Sequence, residues 1–311
     1  MTTRRIAVTG ATGFIGGAIV QDLARTGHRI RVLVRPKSIG KTKYLPNSVE
    51  VIEGDLSEQN NISDLIGGVD TIIHCAGAVR GGTESAFMRI NEDAVRSLVN
   101  GAARESTLTR FLLVSSLAAS SPEVSPYAAS KRAGEDVLNA MNSRTTATIF
   151  RPPAVYGPGD TELLPLFKAM SRGFAPIWGV AEQRFSLIYI NDFVAAVSCW
   201  VADPNPPAGI YELHDGRPDG YSMPDVVALA EDVLQRRIRS IPIPAVVMNS
   251  LAQSNLKLAR LLGYEPMLTP WKLRELRHPR WVCDNGAITR AFGWQPQVEL
   301  ADGLPRALSA P

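Results

Sequence analysis

The chain has 311 residues, is 45% hydrophobic and 20% charged, and carries a net charge of +3. That length suits one large domain or two closely joined ones, and the composition is that of a globular protein. The small net charge, the scattered arginines and the lack of a basic run interleaved with aromatics argue against nucleic acid as a partner. Cys75, Cys199 and Cys283 are odd in number and far apart, and the four histidines are dispersed. Neither a disulfide framework nor a metal site follows from them. MTTRRIAVTG has no apolar signal core, and runs such as FVAAVSCWVA are too short to span a bilayer. A cytoplasmic enzyme or binding protein with no membrane span is expected.

Short apolar runs alternate with helical patterns through the first half. RRIAVTG (4–10) reads as a buried strand and FIGGAIVQDLARTG (14–27) as a helix ending at Gly27. RIRVLVR (29–35) and VEVIEGD (49–55) are the second and third strands; a helix near 59–66 leads into DTIIHCAG (70–77). A long helix near 84–105 leads into the fifth strand, RFLLVSS (110–116). A helix carrying Tyr127 follows, then the strand TATIFRPPAVYG (146–157). This alternation, with near-continuous apolar strands, predicts an α/β fold: a doubly wound, Rossmann-type parallel sheet covered on both faces. After about residue 157 the rhythm changes and prolines cluster. Short strands are expected at FSLIYI (185–190) and GIYELHD (209–215), and an amphipathic helix at 222–237. The expected division is a dinucleotide-binding domain over 1–157, with elements at about 185–203 returning to it. A smaller, irregular substrate-binding region takes up most of 158–311.

The first strand runs into Gly10-Ala11-Thr12-Gly13-Phe14-Ile15-Gly16. Glycines here permit a tight turn, close approach of backbone to a pyrophosphate, and close helix packing. The helix N-terminus that follows offers free amides and a partial positive charge. An acidic residue at the end of the second strand would bind the ribose hydroxyls of NAD; this chain has Val34-Arg35-Pro36-Lys37 instead. The Arg35 guanidinium can pair with a 2′-phosphate, so NADP(H) is the expected cofactor, with NAD(H) as the alternative. In SPYAASK (125–131), Ser125 is an N-cap, Pro126 suits the first helical position, and Tyr127 and Lys131 lie one turn apart. A close cation would lower the phenol's pKa.

TGATGFIGG (9–17), EGDL (53–56), HCAG (74–77), VSS (114–116), YAASK (127–131), RPPAVYGPG (151–159) and SLIYINDFV (186–194) occur in that order. FGWQPQVELADGL (292–304) closes the set. Through these motifs the chain resembles, over nearly its whole length, the extended short-chain dehydrogenase/reductases, a superfamily that includes NAD(P)-dependent epimerases and dehydratases. The resemblance implies that Ser116 orients a substrate oxygen, Tyr127 transfers its proton, and Lys131 holds the nicotinamide ribose. It implies that Asp55 accepts from the adenine amino group with Leu56 against the ring. Ala76 and Gly77 would line the cofactor, and Pro152 would present backbone to the nicotinamide amide. Asn91 would support the active-site lysine, and Arg184 would be a substrate-phosphate ligand. Dimerisation through two long helices of each subunit is a further implication.

Departures from the pattern narrow the reaction. Leu117 and Ala118 stand where nucleotide-sugar 4,6-dehydratases carry an acidic pair. The link from Ser116 to Tyr127 is short and lacks the aromatic-glycine stretch of many sugar epimerases. IPIPAVVMNSLA (241–252), Trp271 and Trp281 supply apolar surface in the second half, which would suit a hydrophobic ketone or alcohol. The leading expectation is an NADP-dependent oxidoreductase acting on a carbonyl/hydroxyl pair in a small molecule. A nucleotide-sugar epimerase with tightly held NAD is the alternative, and a non-catalytic NADP(H)-binding protein the third reading.

Overall fold

The structure is a computed structural model that describes residues 3–141, 144–177 and 182–309. The first half follows strand and helix in turn: β1 (Arg5–Thr9), α1 (Phe14–Arg25), β2 (Arg29–Val34), β3 (Glu50–Glu53), α2 (Gln59–Ile66) and β4 (Thr71–His74). Next come α3 (Glu84–Met88), α4 (Ala94–Ala102), β5 (Arg110–Val114), α5 (Pro126–Asn139) and β6 (Thr146–Arg151). The second half contains β7 (Ala154–Tyr156), α6 (Leu164–Ser171), β8 (Phe174–Ile177), β9 (Arg184–Phe185), β10 (Leu187–Tyr189), α7 (Ile190–Ala202) and β11 (Gly209–Glu212). It ends with α8 (Met223–Leu234), β12 (Arg239–Pro242), α9 (Ala245–Leu262), α10 (Pro270–Leu276), β13 (Arg280–Trp281), α11 (Gly286–Phe292) and α12 (Leu300–Ser309). No helix among the described residues is long and apolar enough to cross a membrane.

Seven parallel strands form the central sheet in the order β11-β6-β5-β4-β1-β2-β3. Alternate residues of each strand serve two cores, as the period of two requires. Ile6, Val8, Val32, Val34, Ile73, Leu112 and Val114 face the layer containing α1 and α7. Ala7, Leu33, Ile72, Phe111 and Leu113 face the layer containing α2, α4 and the end of α5. Each fully buried large apolar side chain contributes roughly 1.5–3 kcal/mol. The outer strand β3 carries exposed Glu50 and Glu53, and Glu50 pairs with Arg31 at 2.9 Å, which blunts that edge.

Chain order reverses between β1 and β4, so the ligand crevice of such a sheet lies outside the C-terminal ends of these two strands. Three local differences from the sequence expectation have physical causes. The 146–157 segment is two strands, because Pro152 and Pro153 cannot donate to a ladder. β7 instead pairs with β10 outside the main sheet. The long helix at 84–105 is interrupted by a π turn (Arg89–Asp93) that buries Asn91. The return to the main sheet extends past residue 203, since β11 adds to β6 as its seventh strand.

α5 sets the register of the site. Ser125 caps it, accepting from Ala128 N at 3.0 Å, and Pro126 occupies the first position. Ala128, Lys131, Gly134, Glu135 and Leu138 form its buried stripe. Gly134 lies so close to the Asn91 carbonyl that a β-carbon there would collide with it. Glu135 is fully buried and accepts from Arg151 Nε at 2.9 Å, from Arg151 Nη2, and from Ser115 Oγ. Glu212 lies 3.9 Å from the same guanidinium. Removing one partner of a buried pair strands the other charge. Glu135→Ala should therefore cost about 3–5 kcal/mol in urea unfolding. A cost below about 1 kcal/mol would show that Glu212 alone compensates Arg151.

Candidate active site

The glycine turn lies where β1 meets β4. Gly10 has φ +73°, and a β-carbon on it would lie 2.6 Å from Ala76 N. A β-carbon on Gly16 would collide with the Gly10 carbonyl oxygen. The turn closes through Gly13 N donating to Gly10 O at 3.0 Å. Gly13 is the N-cap of α1 and supplies no side-chain cap, so the first-turn amides face the crevice. Thr12 is half-buried, and Phe14 and Ile15 pack on the core, fixing the helix entry. Ala76 N donates to Thr9 Oγ1 at 3.3 Å, and Gly77 is exposed at the rim. The turn is thus packed backbone on backbone, as the glycines of a dinucleotide-binding turn require.

Arg35 is exposed at the end of β2. Asp55 accepts from Ser57 N at 3.0 Å. That bond is the largest influence holding its carboxyl below the usual range, and the nearby Arg35 and Arg89 add to it. Leu56 packs partly buried against the α2 side of the sheet. Arg35 and Arg89 thus both act electrostatically on the Asp55 carboxylate. Arg89 carried no signal in the sequence; its position depends on the π turn.

Ser116, Tyr127 and Lys131 converge beyond the end of β5. Ser116 caps the short 3-10 stretch Leu117–Ser120, accepting from Ala118 N at 3.2 Å. Its hydroxyl also acts on the Tyr127 phenol, lowering it against the effect of burial. Lys131 is buried and donates to the Val114 carbonyl at 3.0 Å. A β-carbon on Gly77 would lie 3.2 Å from Lys131 Nζ and 3.0 Å from Asn91 Oδ1, so glycine at 77 leaves room for both. Asn91 accepts from Ala78 N at 2.9 Å and donates to Ser130 Oγ at 2.8 Å, tying the β4 loop to α5.

The titration of this group differs from the sequence expectation. Burial raises the Tyr127 phenol to about 12, against the effect of the Ser116 hydroxyl, with Glu275 and Glu162 adding to the rise. Burial lowers the Lys131 ammonium to about 8, opposed by Cys75 and Glu135. The ammonium is turned toward the Val114 carbonyl, and desolvation governs the phenol.

The second half supplies a wall that the sequence did not signal. Ser125 Oγ, at the cap of α5, donates to Glu275 of α10, and Lys272 Nζ bonds Glu275 at 2.8 Å. The same Lys272 lies 5.9 Å from the centre of the Tyr127 ring. Phe87 meets that ring edge-on at 6.1 Å. Arg80 and Glu162 pair across the opening at 2.6 Å. Pro152 is buried, and its carbonyl accepts from Leu117 N at 2.8 Å, which fixes the Ser116 loop. Arg184 pairs with Asp225 of α8 at 3.0 Å, and Arg217 lies 3.8 Å from the same carboxylate. No contact joins Arg184 to the Tyr127 group among the described residues. Those residues also hold no cluster of His, Cys, Asp and Glu suited to a metal.

A seven-stranded doubly wound sheet, with a glycine turn at its switch point and a serine–tyrosine–lysine group beside it, defines the extended short-chain dehydrogenase/reductase class. Residues 6–213 match the NAD dependent epimerase/dehydratase family, and the chain belongs to it. It is 37% identical over 301 residues to a ceramide reductase of Caulobacter vibrioides, covering 96% of this chain and 92% of that one. It is 27% identical over 336 residues to a 2-alkyl-3-oxoalkanoate reductase of Stenotrophomonas maltophilia, covering 97% and 98% of the two chains. In structure it resembles a UDP-glucuronic acid 4-epimerase of Bacillus cereus solved with UDP-glucuronic acid and NAD. The TM-score is 0.76 at 20% identity, over 98% of each chain. The protein is an NAD(P)-dependent enzyme of the oxidoreductase/epimerase type.

The depressed Lys131 has a consequence for stability. Its folded value of about 8 lies below the ordinary 10.5, so between these values the unfolded chain binds more protons than the folded one. This group's contribution to stability therefore rises with pH across that window. Unfolding free energies measured from pH 7 to 10.5 should show the wild type gaining on Lys131→Met across the window bounded by these two values. A constant difference would place the ammonium in a solvated site.

Proposed function

We propose that the protein is an NADPH-dependent reductase of a ketone on an apolar, long-chain substrate. The observation that carries this is the convergence of Ser116, Tyr127 and Lys131 beside the Gly10 turn, at the sheet's switch point. NADPH, when bound, supplies the hydride. Gly10, Gly13 and Gly16 leave space for its diphosphate at the N-terminus of α1. Arg35 meets the 2′-phosphate, Asp55 and Leu56 hold the adenine, and Pro152 presents backbone to the nicotinamide end. Ser116 holds the substrate carbonyl oxygen and stabilises the charge that develops there. Tyr127, protonated at ordinary pH, donates its proton to that oxygen as the carbon is reduced. Lys131, one helical turn on, holds the nicotinamide ribose, and solvent restores the proton to Tyr127.

Two relatives aligned along nearly the whole chain support the substrate class, since they are named as reductases of a ceramide and of a 2-alkyl-3-oxoalkanoate. Leu117 and Ala118 after the serine supply no acid–base pair for a dehydration. The Asp225 pairing of Arg184 favours a substrate without a nucleotide phosphate.

Tyr127→Phe should lower kcat by roughly 10²–10⁴-fold while leaving the NADPH Kd nearly unchanged. Full turnover by this variant would remove Tyr127 from the chemistry. Arg35→Ala should lose about tenfold or more of the NADPH-over-NADH preference in kcat/KM. A wild type that prefers NADH would overturn the role of Arg35. Purified protein that retains NAD and turns over with no net cofactor consumption would favour an epimerase.

A further inference from the structure

We propose that α9 is a docking helix for an anionic lipid surface, holding the active site against the bilayer. The docking stands on the surface itself; only its purpose, access to a membrane-borne ketone, rests on the proposed substrate class.

α9 has two apolar faces. Met248, Ala252, Leu256 and Ala259 are buried, and the first two join Leu273 of α10 in a small core. Val247, Leu251, Leu258 and Leu262 recur at helical spacing and form a second stripe along the side of the helix. They are 46%, 53%, 48% and 65% exposed, and Leu261 beside them is 80% exposed. Single exposed leucines are ordinary, but an apolar stripe recurring along one helix, here broken by Ser254 and Asn255, marks an interaction surface.

Charge identifies the partner. Residues 236–280, which contain α9 and α10, carry nine Arg and Lys against two Glu. The remainder of the chain carries 24 Arg and Lys against 28 Asp and Glu. The chain's small net charge thus conceals a basic lobe on an otherwise acidic protein. Lys257 and Arg260 are exposed on α9 itself, off the apolar stripe. An apolar stripe that enters the acyl boundary while cations stay at headgroup depth is the arrangement of an interfacial helix. A second copy of this chain is a poor occupant, because face-to-face contact would oppose two basic lobes.

The opposite, buried face of α9 joins it to the site. α9 packs on α10, and α10 carries Lys272 and Glu275, which touch the Tyr127 ring and the Ser125 cap. One short helix therefore separates the surface from the reactive phenol.

The test uses the full chain with two vesicle preparations, phosphatidylcholine alone and phosphatidylcholine with phosphatidylglycerol. Co-sedimentation should occur with the anionic vesicles, be weak with the neutral ones, and fall away at about 0.5 M salt. The double variant Leu251→Glu/Leu258→Glu alters exposed side chains only. It should keep the wild-type melting temperature and its turnover of a water-soluble ketone, yet lose at least about tenfold in partition. A wild type that ignores anionic vesicles, or a variant that binds them equally well, would overturn the proposal. So would a dimer that sediments as such and dissociates in the same variant. Vesicle binding without turnover of any long-chain ketone would support the docking and reject the substrate reading alone.

Discussion

The site depends on one buried cation. Lys131 is an ammonium in the interior of an α/β fold, where an unpaired charge is costly. The Val114 carbonyl takes one of its protons, at the point where β5 stops and the sheet no longer uses that oxygen. Four residues further along the same face, Glu135 supplies the opposite charge, and Arg151 anchors Glu135 from the end of β6. These contacts fix α5 against the ends of two adjacent strands. Tyr127, one turn before Lys131, inherits that position, as does the Ser116 loop pinned by the Pro152 carbonyl. Small shifts of the helix are also resisted by Gly134, which lies directly on the Asn91 carbonyl.

Features set by local chemistry were legible in the sequence. The inner strands of the first half announced themselves as apolar runs because both faces of a parallel sheet are buried, whereas the edge strand β3 is largely exposed. Gly10 was readable because only glycine meets two demands there, a positive φ and backbone contact with Ala76. Ser125 and Pro126 marked the start of α5, and with it the phase that puts Tyr127 and Lys131 on one side. What lay hidden was set by distant partners. Glu275 reaches Ser125 across 150 residues, and nothing near either residue encodes that meeting. Nothing near Glu135 or Arg151 in the sequence indicated that the fold would bring the two together. β11 read as a loose strand of the second half, because a four-residue run says nothing about which sheet edge is vacant. The sign of the Tyr127 shift was equally illegible: spacing supplied the cation, whereas burial decides the pKa.

The two halves of the chain therefore have different tasks. The first builds the glycine turn and the Ser116, Tyr127 and Lys131 group, whose geometry depends on the sheet. The second contributes α10, which closes over the tyrosine through Lys272 and Glu275, and α9, which turns apolar surface outward. A catalytic centre shared by reductases, epimerases and dehydratases needs such a division, because fold alone does not select a substrate.

The opposed shifts at Tyr127 and Lys131 bear on direction. On the proposed reading, reduction requires a phenol that holds its proton until the substrate oxygen becomes basic, and a value near 12 keeps it protonated at any physiological pH. Burial and the carboxylates of Glu275 and Glu162 all favour the protonated phenol. Burial drives both shifts, raising the phenol and lowering the ammonium, because it disfavours the charged form of each group.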